Sequence, residues 1–238
     1  MKWPAKPKAM MAAGAAVFIC SAAVLGALLL NEETAFDPEV VITDALDAQH
    51  HPITVQKHEL TVAEWNRCHA ARACSLELTV RRKGREADYP ATGVNWIDIQ
   101  EYITWINQQS RKTYRLPTSQ EWLALAHEVL PEEPEPLFDD PLLEWANSYR
   151  TEPASPRTLK PIGSFSATRA GVMDLDGSVW EWTSDCYDPD FSNNRCPAFY
   201  VGGEHMAAIP VFTRDPARGG CAVGSPPAHL GLRLVVAS

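Results

Sequence analysis

An uncharged run of 22 residues, from Ala9 to Leu30, constrains this 238-residue chain more than any other feature. Three lysines precede the run and acidic residues follow it directly. As a helix the run would be about 33 Å long, enough to cross a hydrocarbon core of about 30 Å. Positive charge stays on the cytoplasmic side of a bilayer. We therefore predict a cytoplasmic tail at residues 1–8, a transmembrane anchor at residues 9–30 and an exported portion at residues 31–238.

A cleavable signal peptide, cut near residues 23–35, is the alternative, although such peptides usually have an apolar region of only about 7–15 residues. Both interpretations place the remainder of the chain outside the cytoplasm. We predict a membrane-anchored protein on the periplasmic or extracytoplasmic face, which contacts the inner membrane through residues 9–30. Residues 31–50 are acidic and lack periodicity, so they are interpreted as a spacer before a domain at 51–238.

The net charge of the exported portion excludes one class of partner. Without its three N-terminal lysines the chain keeps 18 of its 21 basic residues against 30 acidic ones, a net charge of about −12. Such a field repels the phosphate backbone, and the acidic residues are scattered rather than gathered into a tail. We predict no nucleic-acid binding and a single soluble domain with a sizeable core.

Five cysteines lie beyond the apolar run, at positions 68, 74, 186, 196 and 221. An oxidising compartment favours disulfides. The short separations favour the pairs Cys68–Cys74 and Cys186–Cys196, which leave Cys221 over, although other pairings remain open. The spacings match neither a Cys-x-x-Cys redox motif nor a zinc site.

Three local signals predict helices. Thr61-Val-Ala-Glu64 and Thr118-Ser-Gln-Glu121 are capping boxes, and the second predicts a helix through about Val129. Asn95 can cap a third helix, whose apolar residues recur at helical spacing. Alternation around Ile53 and Val55 indicates a strand before the first helix.

The remaining pattern indicates an α+β domain with much irregular structure. Seven prolines between Pro131 and Pro161 predict a surface loop region, because proline lacks the amide donor that a helix needs. Short strand-like segments follow, ending in Leu230–Val236, whose apolar density predicts a closing buried strand. Helices and strands do not alternate, which excludes Rossmann and barrel architectures.

Several blocks, in order along the chain, resemble the formylglycine-generating enzyme (sulfatase-modifying factor) family. The most specific is Tyr114-Arg-Leu-Pro-Thr118 with Glu121-Trp122. The others are Val55–Cys68, Tyr89–Asp98, Pro161–Phe165, Gly171–Thr183 and Gly231-Leu-Arg233. The resemblance implies a loop-rich, α+β variant of the C-type-lectin-like fold. The tryptophans inside these blocks are interpreted as core residues.

The family's calcium loop matches this chain at one segment. The resemblance implies that Asp174 and Glu181 supply side-chain oxygens to calcium, and that Gly177 and Val179 supply backbone carbonyls. A metal-free turn capped by the two carboxylates is the alternative. Asn147 matches one ligand of a second calcium site, whose partner aspartate has no counterpart that we can place.

The family's catalytic residues are missing. Its enzymes hold copper(I) through two cysteine thiolates that follow a Gly-Gly pair, and thiolates are the soft ligands which that ion prefers. The pair matches Gly202-Gly203, and the cysteine positions are occupied by Ala207 and Phe212. We therefore predict no copper at the family site and no formylglycine generation.

The chain keeps other polar residues in the corresponding region. Glu204 and His205 follow the glycines directly, and Arg214, Asp215, Arg218 and Cys221 come later. Catalysis through Glu204, His205 or Cys221 is one hypothesis. Adjacent residues of a strand point to opposite faces, which disfavours a Glu204–His205 dyad.

Three functions are compatible with the sequence. The first is an accessory or binding module that holds another exported protein or peptide, in maturation of a copper or nitrite-reductase-type enzyme. The second is an oxidoreductase or tailoring enzyme that works without copper and uses Glu204 or His205. The third is a surface protein whose fold has lost its ligand, because fold alone does not determine function.

Overall fold

The computed structural model describes residues 1, 36–130, 158–188, 190, 196–214 and 229–237. The chain divides into two compact units, Met1–Phe36 and Asp37–Ser238, and the second contains the sheets and helices. In the part of the chain described here, no helix combines the length and the apolarity needed to cross a bilayer. The predicted anchor at 9–30 and most of the proline-rich region lie outside the described residues.

Two four-stranded sheets and three helices form the described domain. The first sheet has the order β1-β2-β8-β3, and its strands are β1 (Val40–Leu46), β2 (Pro52–Gln56), β3 (Tyr114–Arg115) and β8 (Val235–Val236). The second has the order β6-β5-β4-β7, with β4 (Val179–Cys186), β5 (Ala198–Gly202), β6 (Met206–Pro210) and β7 (His229–Gly231). Strands β4 and β7 are parallel and the other pairs are antiparallel. The α+β prediction is therefore confirmed.

The three predicted helices are present, and each begins at a complete capping box. They are α1 (Val62–Ala70), α2 (Trp96–Gln109) and α3 (Ser119–Ala126), with Thr61, Asn95 and Thr118 as N-caps. In each box the cap side chain accepts a bond from the amide three residues on, and that residue's carboxylate accepts one from the cap amide. Helix α3 ends at Ala126 rather than near Val129.

The spacer prediction for residues 31–50 is wrong in its second half. Val40–Leu46 forms strand β1 and pairs with β2, which begins at Pro52. Val41 and Ala45 lie against the core cluster of the domain. The sequence shows β-branched residues in a row at this point, but an irregularity in the pairing between Ile42 and Leu46 obscures the period of two.

The predicted closing strand at Leu230–Val236 is divided between the two sheets. Strand β7 lies beside β4 in the second sheet, whereas β8 lies between β2 and β3 in the first. The connecting residues Leu232, Arg233 and Leu234 are fully buried. The crossover thus places a charged side chain, that of Arg233, at the centre of the domain.

One cluster of the core lies between the first sheet and helix α3. Trp122 of α3 contacts a cluster that includes Ile53, Val55 and Val235 of the sheet. Trp65, Trp180 and Trp182 are also buried, as predicted for core residues, whereas Trp96 is only partly buried. Large aromatic side chains provide much of the apolar surface that this loop-rich domain buries.

Candidate functional site

The two positions that correspond to the family's thiolates lie towards opposite ends of strand β6, at the edge of the second sheet. Ala207 belongs to β6, pairs with Val201 of β5, and is buried. Phe212 follows the end of β6 by two residues and is 78% exposed. Neither side chain contains an atom that binds a metal, so the residues present do not fit copper.

The turn that carries Phe212 is attached to the N-terminus of helix α2. Thr213 donates to the carbonyl of Pro210 at 2.9 Å, which closes the turn. The side-chain amide of Asn95, the N-cap of α2, donates to the Phe212 carbonyl at 3.5 Å. Arg214 forms two bonds to the Asp98 carboxylate, at 2.6 and 2.5 Å, and these bonds raise the pKa of its guanidinium.

The Gly-Gly pair before these positions is required by close packing. A Cβ atom at Gly202 would lie 2.2 Å from the ring of Trp122, and one at Gly203 would lie 2.3 Å from the ring of Trp180. Real Cβ atoms do not approach other atoms so closely. The pair therefore lets two buried tryptophans approach the strand from its two sides.

Glu204 and His205 lie in the bend between β5 and β6 rather than inside a strand. The argument from strand alternation therefore does not apply to them. Glu204 is exposed, and the imidazole of His205 meets the ring of Trp180 edge-on, with centroids 4.7 Å apart. The other candidate residues of this region, Asp215, Arg218 and Cys221, lie outside the described residues.

The predicted calcium segment connects the two sheets, and its carboxylates bind protein donors. Asp174 has a positive φ of 64°, and its carboxylate accepts bonds from the amides of Gly163 and Phe165. Glu181 accepts bonds from Arg233, the shortest at 2.9 Å, and from the Trp122 indole at 2.8 Å. Both carboxyl groups are buried.

The carboxylates of this segment accept hydrogen bonds from protein donors. The Glu181 oxygens already face a guanidinium and an indole N–H, whereas calcium needs six to eight oxygens directed at one point. Among the described residues, no three His, Cys, Asp or Glu side chains are arranged to hold a metal ion. Calcium binding through Asp174, Gly177, Val179 and Glu181 stays a prediction, and Asn147 lies outside the described residues.

Sequence reasoning missed the role of Glu59 and Arg233. Arg233 donates to the carbonyls of Gln56 and Met173 as well as to Glu181, and lies 3.9 Å from the Glu59 carboxylate. One oxygen of Glu59 is buried without a hydrogen-bond partner. Burial raises the pKa of Glu59 to about 8; Arg233 opposes this shift, and the carboxylates of Glu181 and Asp174 add to it.

Both preferred disulfides are present. Cys68 and Cys74 are joined across the end of helix α1, and Cys186 of β4 is joined to Cys196, just before β5. Each closes a short segment, with sequence separations of 6 and 10 between the paired cysteines. These four thiols are therefore unavailable for metal chemistry.

The family model of the sulfatase-modifying factor enzyme 1-like domain matches residues 25–238 of this chain. A formylglycine-generating enzyme of Thermomonospora curvata is 24% identical over 121 residues, which cover 47% of this chain and 38% of that protein. The inactive C-alpha-formylglycine-generating enzyme 2 of Mus musculus is 27% identical over 118 residues, covering 43% and 34%. A Chlamydia caviae serine/threonine-protein kinase, pkn1, is 28% identical over 105 residues, covering 44% and 15%.

The chain thus spans between 15% and 38% of the length of these curated relatives. Among solved structures, PvdO from Pseudomonas aeruginosa aligns with 84% of this chain and 91% of its own, at 20% identity and a TM-score of 0.49. The match to the domain family extends over nearly the whole chain, and the ordered blocks from Val55 to Arg233 lie inside it. The chain therefore belongs to the sulfatase-modifying factor enzyme 1-like domain family.

Proposed function

We propose that this chain is an exported, membrane-anchored accessory module that binds a segment of another exported protein and does not generate formylglycine. The observation that carries the proposal is the pair of side chains at the family's thiolate positions. Ala207 is buried near the start of strand β6, and Phe212 is exposed on the turn that follows the strand. Two apolar side chains at these positions support a function other than metal binding.

No other described cysteine can replace the missing ligands. Four of the five exported cysteines form disulfides. Cys221 is one thiol, and copper(I) at the family site needs two. The mouse relative that carries the word inactive in its name agrees with a branch of the family that has lost the activity.

The attachment of the Phe212 turn supports binding rather than loss of all function. If the exposed Phe212 side chain had no role, nothing would require its turn to be fixed in place. The turn is nevertheless bonded to helix α2 at two points, through Asn95 and Asp98. Exposed aromatic residues on a rigid backbone are typical binding hot spots, because little entropy is lost when they bind.

The disulfides and the uncharged N-terminal run, residues 9–30, support the proposed location outside the cytoplasm. Two disulfides in one small domain agree with an oxidising environment. The narrower proposal, a role in maturation of an exported copper or nitrite-reductase-type enzyme, is supported by the sequence resemblance alone. The proposed exported location is the same whether the partner is such a copper enzyme or another exported protein.

Site-specific photo-crosslinking tests the proposal. We would place a benzophenone amino acid at position 212 of the full-length chain in its own cells, and at Leu123 in a control. Leu123 is an apolar residue of α3 with 44% exposure. The proposal predicts a discrete adduct with one exported protein from position 212 alone. No adduct from position 212, or the same adducts from both positions, would contradict it.

A further inference from the structure

We propose that a basic surface of this domain contacts the anionic phospholipid headgroups of the membrane that holds its anchor. The basic surface consists of five exposed side chains, those of Arg81, Arg82, Lys83, Arg111 and Lys112. The inference rests on the proposed function, because it needs the chain to be anchored, and it adds a second contact with the bilayer. It is supported by the distribution of charge, by the way that one loop is held and by the point at which the chain enters the domain.

The charged residues of the exported portion are unevenly distributed. Residues 57–115 contain ten basic and seven acidic residues, a net charge of +3, whereas the other exported residues contain eight basic and 23 acidic ones, a net charge of −15. At physiological ionic strength, exposed charges more than about 8 Å apart are largely screened from each other. The local excess of positive charge, rather than the overall negative charge, therefore determines what this part of the surface attracts.

Three of the five cations lie at the tip of a loop whose two stems are held by helix α1. On one stem, the Asn66 side chain donates to the carbonyl of Leu78 at 2.8 Å and accepts from its amide at 3.0 Å. On the other stem, the amide of Ala63 donates to the carbonyl of Glu86 at 2.9 Å. Residues 81–85 between the stems are all exposed. The loop therefore presents its cations to solvent from a supported base.

The cations of the basic surface are not neutralised by neighbouring side chains. With the other described residues, none of the five forms a salt bridge. Arg85, the next cation along the loop, differs because it pairs with Asp88. Each lysine or arginine near an anionic membrane surface strengthens the contact by about fivefold. Several unpaired cations on one surface therefore favour an anionic bilayer.

The chain enters the domain beside two of these cations. The Asp37 carboxylate accepts bonds from the hydroxyl groups of Ser110 and Tyr114, the second at 3.4 Å. Arg111 and Lys112 follow Ser110 directly, and the Lys112 amide donates to the Ser110 hydroxyl at 2.9 Å. The point of entry is therefore part of the basic surface.

Helix α1 connects this entry point with the basic loop. Burial raises the pKa of Tyr114 to about 12, and the carboxylates of Asp37 and Glu64 add to the shift, so both lie near the same hydroxyl group. Glu64 belongs to the first turn of α1 and follows Ala63, which holds the Glu86 stem of the loop. The loop and the entry point therefore both lie beside the first turn of α1.

The length of the connecting chain selects the bilayer as the occupant. Asp37 follows Leu30, the end of the predicted span, by seven positions, and a segment of that length extends to about 25 Å at most. The anchor of each copy thus brings its own basic surface to the headgroups. A second copy also offers negative charge, but no such connection leads its acidic residues to this surface. Self-association is therefore an outcome of the test rather than the expectation.

Energy transfer in lipid nanodiscs tests the inference. The full-length chain carries a fluorescent amino acid at position 79, where the exposed Thr79 precedes the cations of the loop, and a few lipid headgroups carry an acceptor. One set of discs contains phosphatidylcholine alone, and the other contains phosphatidylglycerol as well. The proteins compared are the wild type, the triple variant Arg81→Ser/Arg82→Ser/Lys83→Ser, Lys112→Ser and the control Arg169→Ser.

Transfer should be stronger in the discs with phosphatidylglycerol, and the triple variant should reduce it to the value in phosphatidylcholine alone. Lys112→Ser should give a partial decrease. Arg169→Ser, which removes the same charge from a side chain with 86% exposure outside the basic surface, should give none. Added salt should abolish the difference between the two lipids. All variants should keep the wild-type melting temperature, because the substituted side chains are exposed.

Equal transfer in the two kinds of disc, or equal losses in Lys112→Ser and Arg169→Ser, would overturn the inference. Transfer that appears only when two chains share a disc would identify a second copy as the occupant. A chain that does not stay in the discs would contradict the anchor, and with it both proposals. If the chain stays anchored and position 212 crosslinks to an exported protein while lipid charge has no effect, the inference is wrong and the proposed function remains.

Discussion

Arg233 is the residue that connects the two sheets electrostatically. Its guanidinium is fully buried and lies among three buried carboxyl groups, those of Glu59, Asp174 and Glu181. Glu181 is held by direct bonds and Asp174 by backbone amides, whereas one oxygen of Glu59 has no donor. A buried carboxylate without donors is unfavourable, and this burial raises the pKa of Glu59 to about 8.

The state of Glu59 makes stability depend on pH. The pKa of its carboxyl group rises from 4.5 to about 8 in the folded chain, so the folded state holds a proton that the unfolded state has released between these values. The free energy of unfolding should therefore fall as pH rises from about 5 through 8, with a slope of up to about 1.4 kcal/mol per pH unit from this group.

Glu59→Gln tests this assignment, because glutamine keeps the shape of the neutral acid and cannot ionise. Urea unfolding of wild type and variant at pH 5, 7 and 9 should give similar stabilities at pH 5 and an increasing advantage for the variant as pH rises. Parallel pH profiles for the two proteins would show that Glu59 does not hold the proton.

Calcium at the Asp174–Glu181 segment is tested by the melting temperature of the full-length chain with and without a chelator. An ion bound only to the folded state stabilises that state by mass action, so the prediction is a lower melting temperature in chelator and recovery with added calcium. Asp174→Ala should remove the response. An unchanged melting curve in chelator would contradict calcium binding and leave Arg233 as the partner of Glu181.

At the scale of elements, the sequence predicted what depends on near neighbours. Two capping boxes and the Asn95 cap were readable because each depends on residues within one helical turn, although the box partner of Asn95, Asp98, was not predicted. The disulfides were readable because their cysteines are close in sequence. Strand β1 was hidden by the irregular pairing between Ile42 and Leu46, whereas the division between β7 and β8 depends on pairing with distant strands. The Phe212 turn was equally hidden, since its contacts to Asn95 and Asp98 span more than a hundred residues.

The cap of helix α3 provides a test at this scale. Thr118 accepts a bond from the Glu121 amide, and Glu121 also pairs with Arg115 of β3. Thr118→Ala should lower the free energy of unfolding by about 1 kcal/mol, as for N-caps in other proteins. Thr104→Ala, an exposed change inside α2, is the control and should cost less. Equal effects of the two changes on urea unfolding would contradict the capping role.

At the scale of the whole molecule, the chain keeps the family's sequence blocks while the two copper-binding cysteines are absent. Gly202 and Gly203 allow close packing of two tryptophans, and Glu181 forms a buried ion pair with Arg233. The two thiolate positions alone have lost the atoms needed for copper chemistry. The prediction that copper chemistry is lost rests on the local sequence, because the absence of a cysteine can be read without knowing the tertiary structure.

Topology is a further prediction at this scale. With the basic residues of 1–8 inside, the C-terminus of the chain should lie outside the cytoplasm. A reporter that works only after export, fused after Ser238, should be active, and a cytoplasm-dependent reporter at the same place should be silent. The reverse pattern would contradict both the anchor and the exported function.

The most direct measurement of the central claim is an assay for formylglycine. The full-length chain would be incubated with copper, oxygen, a reductant and a cysteine peptide of the sulfatase type, beside a formylglycine-generating enzyme as positive control. Because Ala207 and Phe212 supply no copper ligand, mass spectrometry should find the peptide unchanged rather than slowly converted. Conversion of the cysteine to formylglycine by this chain would contradict the account.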